Sequence, residues 1–209
     1  MLRIIFGGTF NPIHWGHIRP ALALADELSA PAIHLMPSAI PPHRQTPAVS
    51  AEQRLQMVRL ACELDPRLQA EDWELQQDRH SYTAITLAEL KQQYPQDTLV
   101  FALGMDAFNA LDTWHQWQQL VDHAHLVVMR RGNTQRHLKP VLNAFVTARE
   151  LELGALHQQV AGGIYFAQTP LIDISATEIR QRIKKHNDRW TDMVPAAIAD
   201  YIKQQQLYR

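Results

Sequence analysis

Several common features are missing from this chain, and each absence narrows what it can be. Its 209 residues hold one cysteine, Cys62, which excludes an internal disulfide and fits a reducing, cytoplasmic setting. No apolar run approaches the ~20 residues of a membrane-spanning helix. The first strand pattern starts almost at Met1, so no signal peptide is expected. Neither sign of charge dominates: 20 Lys and Arg stand against 21 Asp and Glu, which gives no electrostatic footprint for nucleic acid or a membrane surface. Gly-x-Gly-x-x-Gly, the Gly-Lys-Ser/Thr of a P-loop, His-Glu-x-x-His and Cys-x-x-Cys are all absent. Cys62 falls in the apolar pattern Leu55, Val58, Leu60, Ala61, Leu64, where a buried, inert thiol is expected.

What is present centres on Gly7-Gly8-Thr9-Phe10-Asn11-Pro12-Ile13-His14-Trp15-Gly16-His17. This stretch follows the apolar run Ile4-Ile5-Phe6, which reads as a buried strand. It precedes Ile18, Ala21, Leu22, Ala25 and Leu28, which share one face of a helix. It is therefore a strand-to-helix turn, the place where α/β sheets put their ligands. Gly7 and Gly8 lack a Cβ, so a ligand can meet bare backbone N–H groups. His14 and His17 can project together from the helix's first turn, beside its orphan N–H groups and the positive end of its dipole. That combination attracts an anion, phosphate above all. The plain alternatives are a tight turn for the glycines and half a metal site for the histidines, which lack further ligands at metal spacing.

The rest alternates strand and helix patterns. Residues 32–36 read as a strand, followed by a proline-marked loop over 37–50 that contains Ile40-Pro41-Pro42-His43-Arg44. Residues 51–64 read as a helix with Ser50 as N-cap and Gln53 at the capping-box position, and 68–74 as a short strand. Ser81-Tyr82-Thr83 opens a helix carrying Ala84, Leu87, Ala88 and Tyr94, where a hydroxyl would ordinarily be a cap. Residues 98–103 form a continuous apolar strand ending in Gly104-Met105-Asp106, whose Asp106 would serve as an ordinary cap. Trp114, His115 and Trp117 lie in an aromatic stripe of the kind that usually packs a core. Residues 124–129 make a strand ended by Arg130-Arg131-Gly132, and no function attaches to His123 or His125. Residues 135–160 are helical or irregular, and 164–167 form a last strand. Ile174-Ser175-Ala176-Thr177-Glu178-Ile179-Arg180 combines a Ser175–Glu178 capping box with an arginine that capping does not explain. Hydroxyls and an Arg at a helix N-terminus make a phosphate cradle. Pro195 opens a closing helix with Val194, Ala197, Ile198, Tyr201 and Ile202 on one face.

The Gly-Gly-Thr turn, His43–Arg44, Gly104–Asp106, Arg130–Arg131 and Ser175–Arg180 all follow candidate strands, whose carboxyl ends share one edge of a parallel sheet. The expected fold is α/β, a Rossmann-like open parallel sheet with helices on both faces. It forms one domain over 1–209, with 175–209 as a small C-terminal helical portion. With neither a Ser-His-Asp set nor an activated cysteine, catalysis would consist of positioning and of neutralising charge on phosphates.

These residues resemble the signature of the nucleotidyltransferase superfamily, whose His-x-Gly-His pair grips nucleoside triphosphate and whose Ile-Ser-Ser-Thr-x-x-Arg segment binds the triphosphate tail. Ala176 departs from that second pattern. Pro-Pro-His, Ser-Tyr-Thr and Thr-Trp narrow the likeness to the bacterial nicotinate-mononucleotide adenylyltransferases, over Gly7 to Arg180, and the closing Leu207-Tyr208-Arg209 is similar too. Arg44 stands where that family has Lys, which keeps the charge and changes its geometry. The resemblance implies transfer of AMP from ATP to nicotinate mononucleotide, giving nicotinate adenine dinucleotide and pyrophosphate in NAD biosynthesis. Attack would be in line, without a covalent enzyme intermediate, and Mg²⁺ would be held mainly by phosphates, with no metal site of protein ligands. The resemblance assigns catalysis to His14, His17 and Arg180. It assigns ATP to Gly7, Gly8, Thr9, Phe10, His14, His17, Gly104, Asp106, Ile174, Ser175, Thr177 and Arg180. The mononucleotide falls to His43, Arg44, Thr83, Asp106, Trp114, His115 and Arg131, with Trp114 stacking on the pyridine ring and Trp117 left to the core. The partners implied are these small molecules, without nucleic acid or membrane, and the oligomeric state stays open. The alternatives are a sister enzyme acting on nicotinamide mononucleotide or phosphopantetheine, a cytidylyltransferase, a non-catalytic dinucleotide sensor, and a metal hydrolase built on the histidine pair.

Overall fold

The apolar runs pair side by side in a single six-stranded sheet. The computed structural model describes residues 1–39, 49–130 and 134–209. Its strands are β1 (Leu2–Gly8), β2 (Ile33–Pro37), β3 (Leu68–Ala70), β4 (Thr98–Gly104), β5 (His125–Met129) and β6 (Ile164–Phe166). They lie in the order β3-β2-β1-β4-β5-β6, every neighbouring pair parallel. From β1 the chain passes through α1 (Trp15–Glu27) to β2 and through α2 (Ala51–Cys62) to β3, building one half of the sheet. It then runs through α3 (Thr83–Gln93) to β4 on the other side of β1. α4 (Met105–Asn109) and α5 (Leu120–His123) precede β5, α6 (Pro140–Thr147) and α7 (Leu153–Leu156) precede β6, and α8 (Ala176–Lys184) and α9 (Ala196–Gln204) follow it. The order reverses between β1 and β4, the switch point where such sheets open a crevice.

Strand alternation sends successive side chains into two cores. Ile4, Phe6, Ile33, Leu35, Val100 and Val127 pack with Ile18 and Leu24 of α1, Met57 and Val58 of α2, Ile179 of α8 and Ile198 and Ile202 of α9. Ile5, Leu99, Phe101, Leu103, Leu126 and Val128 pack with Leu87 and Leu90 of α3, Phe108 of α4, Leu120 of α5 and Leu142 of α6. Burial on both faces is why these strands read as unbroken apolar runs. No helix among the described residues is long and apolar enough to cross a membrane.

The structure revises several local readings. The Ser50–Gln53 capping box forms in both directions, but α2 stops at Cys62 and leaves Leu64 exposed. β3 ends at Ala70, and residues Trp73–Gln76 coil into a 3₁₀ turn. That turn brings two successive side chains to α3, which strand alternation would prevent: Trp73 donates from Nε1 to Glu89 (3.0 Å) and Glu74 accepts from Thr86 Oγ1 (3.0 Å). Ser175 caps α8 by accepting from Glu178 N, but the Glu178 carboxylate takes Arg182 instead of closing the box. In α9, Pro195 is the N-cap, so Ala199 and not Ala197 joins Ile198 and Ile202 in the core.

Two histidines away from the cleft, His125 buried and His34 half-buried, are structural. Gly163 N donates to His125 Nδ1 (3.0 Å), which leaves Nε2–H for the Gln159 carbonyl (3.1 Å), and burial holds this imidazole below its usual pKa. His34 Nε2 lies 3.2 Å from Arg3 Nη1, and burial together with that guanidinium lowers its pKa to about 4. Both folded values lie below the ordinary 6.5, so the unfolded chain binds the protons first and stability falls as pH drops below 6.5. His34→Gln keeps an acceptor for Arg3 and removes one titration. Its melting temperature should fall less steeply than the wild type's between pH 6.5 and 4, and parallel melting curves would contradict a neutral His34.

Candidate active site

The turn after β1 is shaped by aromatic rings. A Cβ on Gly7 would lie 2.8 Å from the Phe101 ring and one on Gly8 2.9 Å from Phe10. The glycines therefore leave room for rings as well as baring the backbone. Phe10, not a glycine, adopts the left-handed conformation here (φ 46°). Its buried ring meets Phe6 and His17 edge-on, at 5.5 and 5.2 Å between centroids.

His14 is the N-cap of α1, and its Nδ1 accepts from Gly16 N (3.1 Å). The neutral imidazole therefore carries its proton on Nε2 and presents a donor there. The rings of His14 and His17 lie against each other, centroids 3.8 Å apart and planes tilted by 37°. A side chain on Gly16 would meet the His14 ring at 3.0 Å and the Ile174 carbonyl at 3.1 Å, which explains the glycine of His-x-Gly-His. The pair is layered: His14 is fully buried, while His17, 8% exposed, forms part of the cleft wall.

That cleft has a volume of about 1280 Å³ and lies across the carboxyl ends of β1 and β4. It exceeds the ~300–1,000 Å³ typical of a site for one small molecule. Of the residues singled out in the sequence, Gly7, Gly8, Thr9, Phe10, His17, Thr83, Gly104, Asp106, Trp114, His115, Ser175, Thr177 and Arg180 line it. His14 and Ile174 stand behind the wall, and His43, Arg44 and Arg131 lie outside the described residues. Arg180 ties α8 to the β1 turn, donating from Nη1 to Asn11 O (2.7 Å) and from Nη2 to Thr177 Oγ1 (3.2 Å). Elsewhere in the lining Trp114 stands edge-on to Phe101 (6.3 Å) and His115 lies against Tyr82 (4.6 Å). Trp117 turns away and packs on Phe145. Asp106 occupies the first turn of α4 rather than its cap, which is Gly104. Cys62 is half-buried rather than buried as expected, and desolvation pushes its thiol up to about 12. Among the described residues no three His, Cys, Asp or Glu side chains come together as a metal site.

Sequence reasoning missed Arg54. It is 1% exposed and donates from Nη1 to Thr9 O (2.8 Å) and from Nη2 to Ala39 O (3.1 Å). Ala39 N donates to Ser81 Oγ (3.0 Å), so Ser81 is a tertiary partner and not the cap of α3. One guanidinium thus joins the β1 turn to the segment leaving β2, and through Ser81 to the start of α3. The signal was there: Arg54 shares the buried stripe of Met57, Val58 and Ala61 at helical spacing. Glu74, also missed, is buried in the cleft wall, and desolvation raises its pKa against hydrogen bonds from Ser81 and Thr86.

A switch-point crevice bordered by a His-x-Gly-His pair and, tied to the same turn, a capped Ser-x-Thr-x-x-Arg helix defines a class. The chain belongs to the cytidylyltransferase-like family, whose model matches residues 5–182. It is similar along its whole length to proteins named probable nicotinate-nucleotide adenylyltransferase. One, from Idiomarina loihiensis, is 46% identical over all of both chains, and one from Aeromonas salmonicida is 43% identical over 98% of this chain and 96% of its own. The fold matches that of a Plasmodium falciparum nicotinic acid mononucleotide adenylyltransferase complexed with NaAD. There the TM-score is 0.71 at 18% identity, covering 100% of this chain and 98% of the other.

Arg54→Met strips both carbonyls of their donor. It should destabilise the protein by about 1–3 kcal/mol in urea denaturation, with Arg54→Lys, able to reach one carbonyl, between it and wild type. An unchanged midpoint would mean that the guanidinium holds nothing together.

Proposed function

We propose that this chain transfers AMP from ATP to nicotinate mononucleotide, forming nicotinate adenine dinucleotide and pyrophosphate in pyridine-nucleotide biosynthesis. The observation that carries the reading is one cleft of about 1280 Å³ lined both by His17, Ser175, Thr177 and Arg180 and by Trp114, His115 and Thr83. The first set suits a triphosphate and the second a flat, polar-edged ring with its ribose phosphate. The names carried by full-length relatives at 43–46% identity support the same reaction.

The attacking group is the phosphate of the mononucleotide, already anionic at neutral pH, so no side chain need become a nucleophile. What the protein contributes is alignment and charge neutralisation at the α-phosphorus. His17 donates to oxygens around the α- and β-phosphates, where negative charge builds as the bond to pyrophosphate breaks. His14, with Nδ1 engaged by Gly16 N, backs His17 and adds its Nε2–H to the same field. Ser175 and Thr177 at the start of α8, with Arg180, hold the β/γ end. Gly7, Gly8, Thr9 and Phe10 shape the floor beneath the phosphates, Ile174 supports the α8 entry, and Gly104 and Asp106 face the riboses. His43, Arg44 and Arg131 add positive charge for the phosphate of the mononucleotide. ATP enters as its Mg²⁺ complex. The protein groups at the cleft fit an ion held by phosphate oxygens and water. Residues 175–209 belong to the same working unit, since α8 forms one wall of the cleft.

With Mg²⁺ and ATP, pyrophosphate should appear with nicotinate mononucleotide and far more slowly with nicotinamide mononucleotide or phosphopantetheine. Release from phosphopantetheine alone would overturn the acceptor. His17→Ala should lower turnover ~10²–10³-fold, by analogy with loss of one oxyanion donor, and near-full activity would remove it from the mechanism. Trp114→Ala should raise KM for the mononucleotide roughly tenfold, in keeping with one lost base–aromatic stack, with KM for ATP little changed. Equal rises in both constants would argue against stacking.

A further inference from the structure

Beyond α9 the chain bends back on itself. Gln206 and Tyr208 both take left-handed backbone conformations (φ 53° and 66°), which residues with side chains seldom occupy unless the surroundings impose it. What imposes it is Leu207, buried in the core at 7% exposure, with its N–H donating to Ile202 O (3.0 Å). The hook carries Tyr208 into the wall of the cleft, within reach of the Arg180 charge.

The Tyr208 hydroxyl is buried and, among the described residues, has no hydrogen-bond partner. A buried hydroxyl left in this way is unfavourable and calls for an explanation. The charges that act on it are those of Arg180 and Arg54. Both guanidiniums already donate to main-chain carbonyls, Arg180 to Asn11 and Arg54 to Thr9 and Ala39. Among the described residues neither has a carboxylate within ion-pair distance. Burial raises the phenol's pKa, so it stays protonated at neutral pH and remains a donor. A donor lacking an acceptor, set near two cations in the wall of this cleft, is completed by an anionic oxygen.

We propose that the Tyr208 hydroxyl is a further ligand of the pyrophosphate-bearing end of ATP, donating to a phosphate oxygen held in common with Arg180. The proposal rests on the reading that the α8 wall takes the triphosphate, and it adds a group outside both sequence motifs.

Tyr208→Phe removes one oxygen and keeps the ring. Because that oxygen has no partner in the free protein, the variant should melt at or slightly above the wild-type temperature. Calorimetric titration should show affinity for inorganic pyrophosphate, and for a non-hydrolysable ATP analogue, weakened roughly tenfold, as for a hydrogen bond to a charged group. Affinity for nicotinate mononucleotide should be unchanged. Unaltered pyrophosphate affinity overturns the proposal. So does a parallel loss for every ligand with a lower melting temperature, which would make the tyrosine a structural prop. If the wild type releases no pyrophosphate from ATP and nicotinate mononucleotide, the functional reading fails, while the titrations still judge Tyr208. Wild-type turnover with an unaffected variant removes the tyrosine alone.

Discussion

The site exists because β1 parts from β4 before it parts from β2. Pairing with β2 continues to Gly8↔Pro37, whereas pairing with β4 stops at Phe6↔Ala102. The gap therefore opens at Gly7, and the Phe101 ring lies where a Gly7 side chain would go. On the far side β4 stays paired with β5 to Gly104↔Met129 before turning into α4. Two rigid strand ends thus diverge from a common line, and the turn after β1 and the start of α4 face each other across the opening. Strand pairing of this kind fixes positions more firmly than loops can, which catalysis by alignment demands.

Two arginines then fix the β1 turn in place. Arg54 holds Thr9 from α2 and Arg180 holds Asn11 from α8. Each contributes charge-assisted hydrogen bonds to main-chain carbonyls. The Arg54 guanidinium also reaches Ala39, whose N–H meets Ser81. The β1 turn, the segment leaving β2 and the start of α3 are in this way joined through one buried side chain. Arg180 has a double part, since the guanidinium that braces the turn also borders the cleft.

Much of this was legible in the sequence, for identifiable reasons. Strands buried on both faces announce themselves as apolar runs, as β1, β4 and β5 did, and Ser50 and Gln53 marked the start of α2 because a capping box is local. The gathering of Gly8, Asp106 and Arg180 on one cleft followed from their places after strands. What escaped depends on partners far along the chain. Ser81 looks like a cap because its bond to Ala39 cannot be seen locally. Arg54 lies on the buried stripe of α2, but its acceptors, the carbonyls of Thr9 and Ala39, cannot be seen locally. Glu74 seemed part of a strand because nothing nearby shows that Thr86 draws it inward. The glycines were legible as close-approach positions, but the rings they accommodate were not.

The central claim is that this chain supplies alignment and charge, and that the acceptor's phosphate attacks ATP directly. Among the described residues the cleft wall carries no cysteine, and its serines are Ser38, Ser81 and Ser175. Ser81 Oγ is engaged by Ala39 N and Ser175 Oγ by Glu178 N. The most direct test is the stereochemical course at the α-phosphorus, followed with ATP bearing a chiral α-phosphorothioate and nicotinate mononucleotide as acceptor. A single in-line displacement predicts inversion of configuration in the dinucleotide product. Retention would mean two displacements through an enzyme-bound adenylyl group, and would contradict the account.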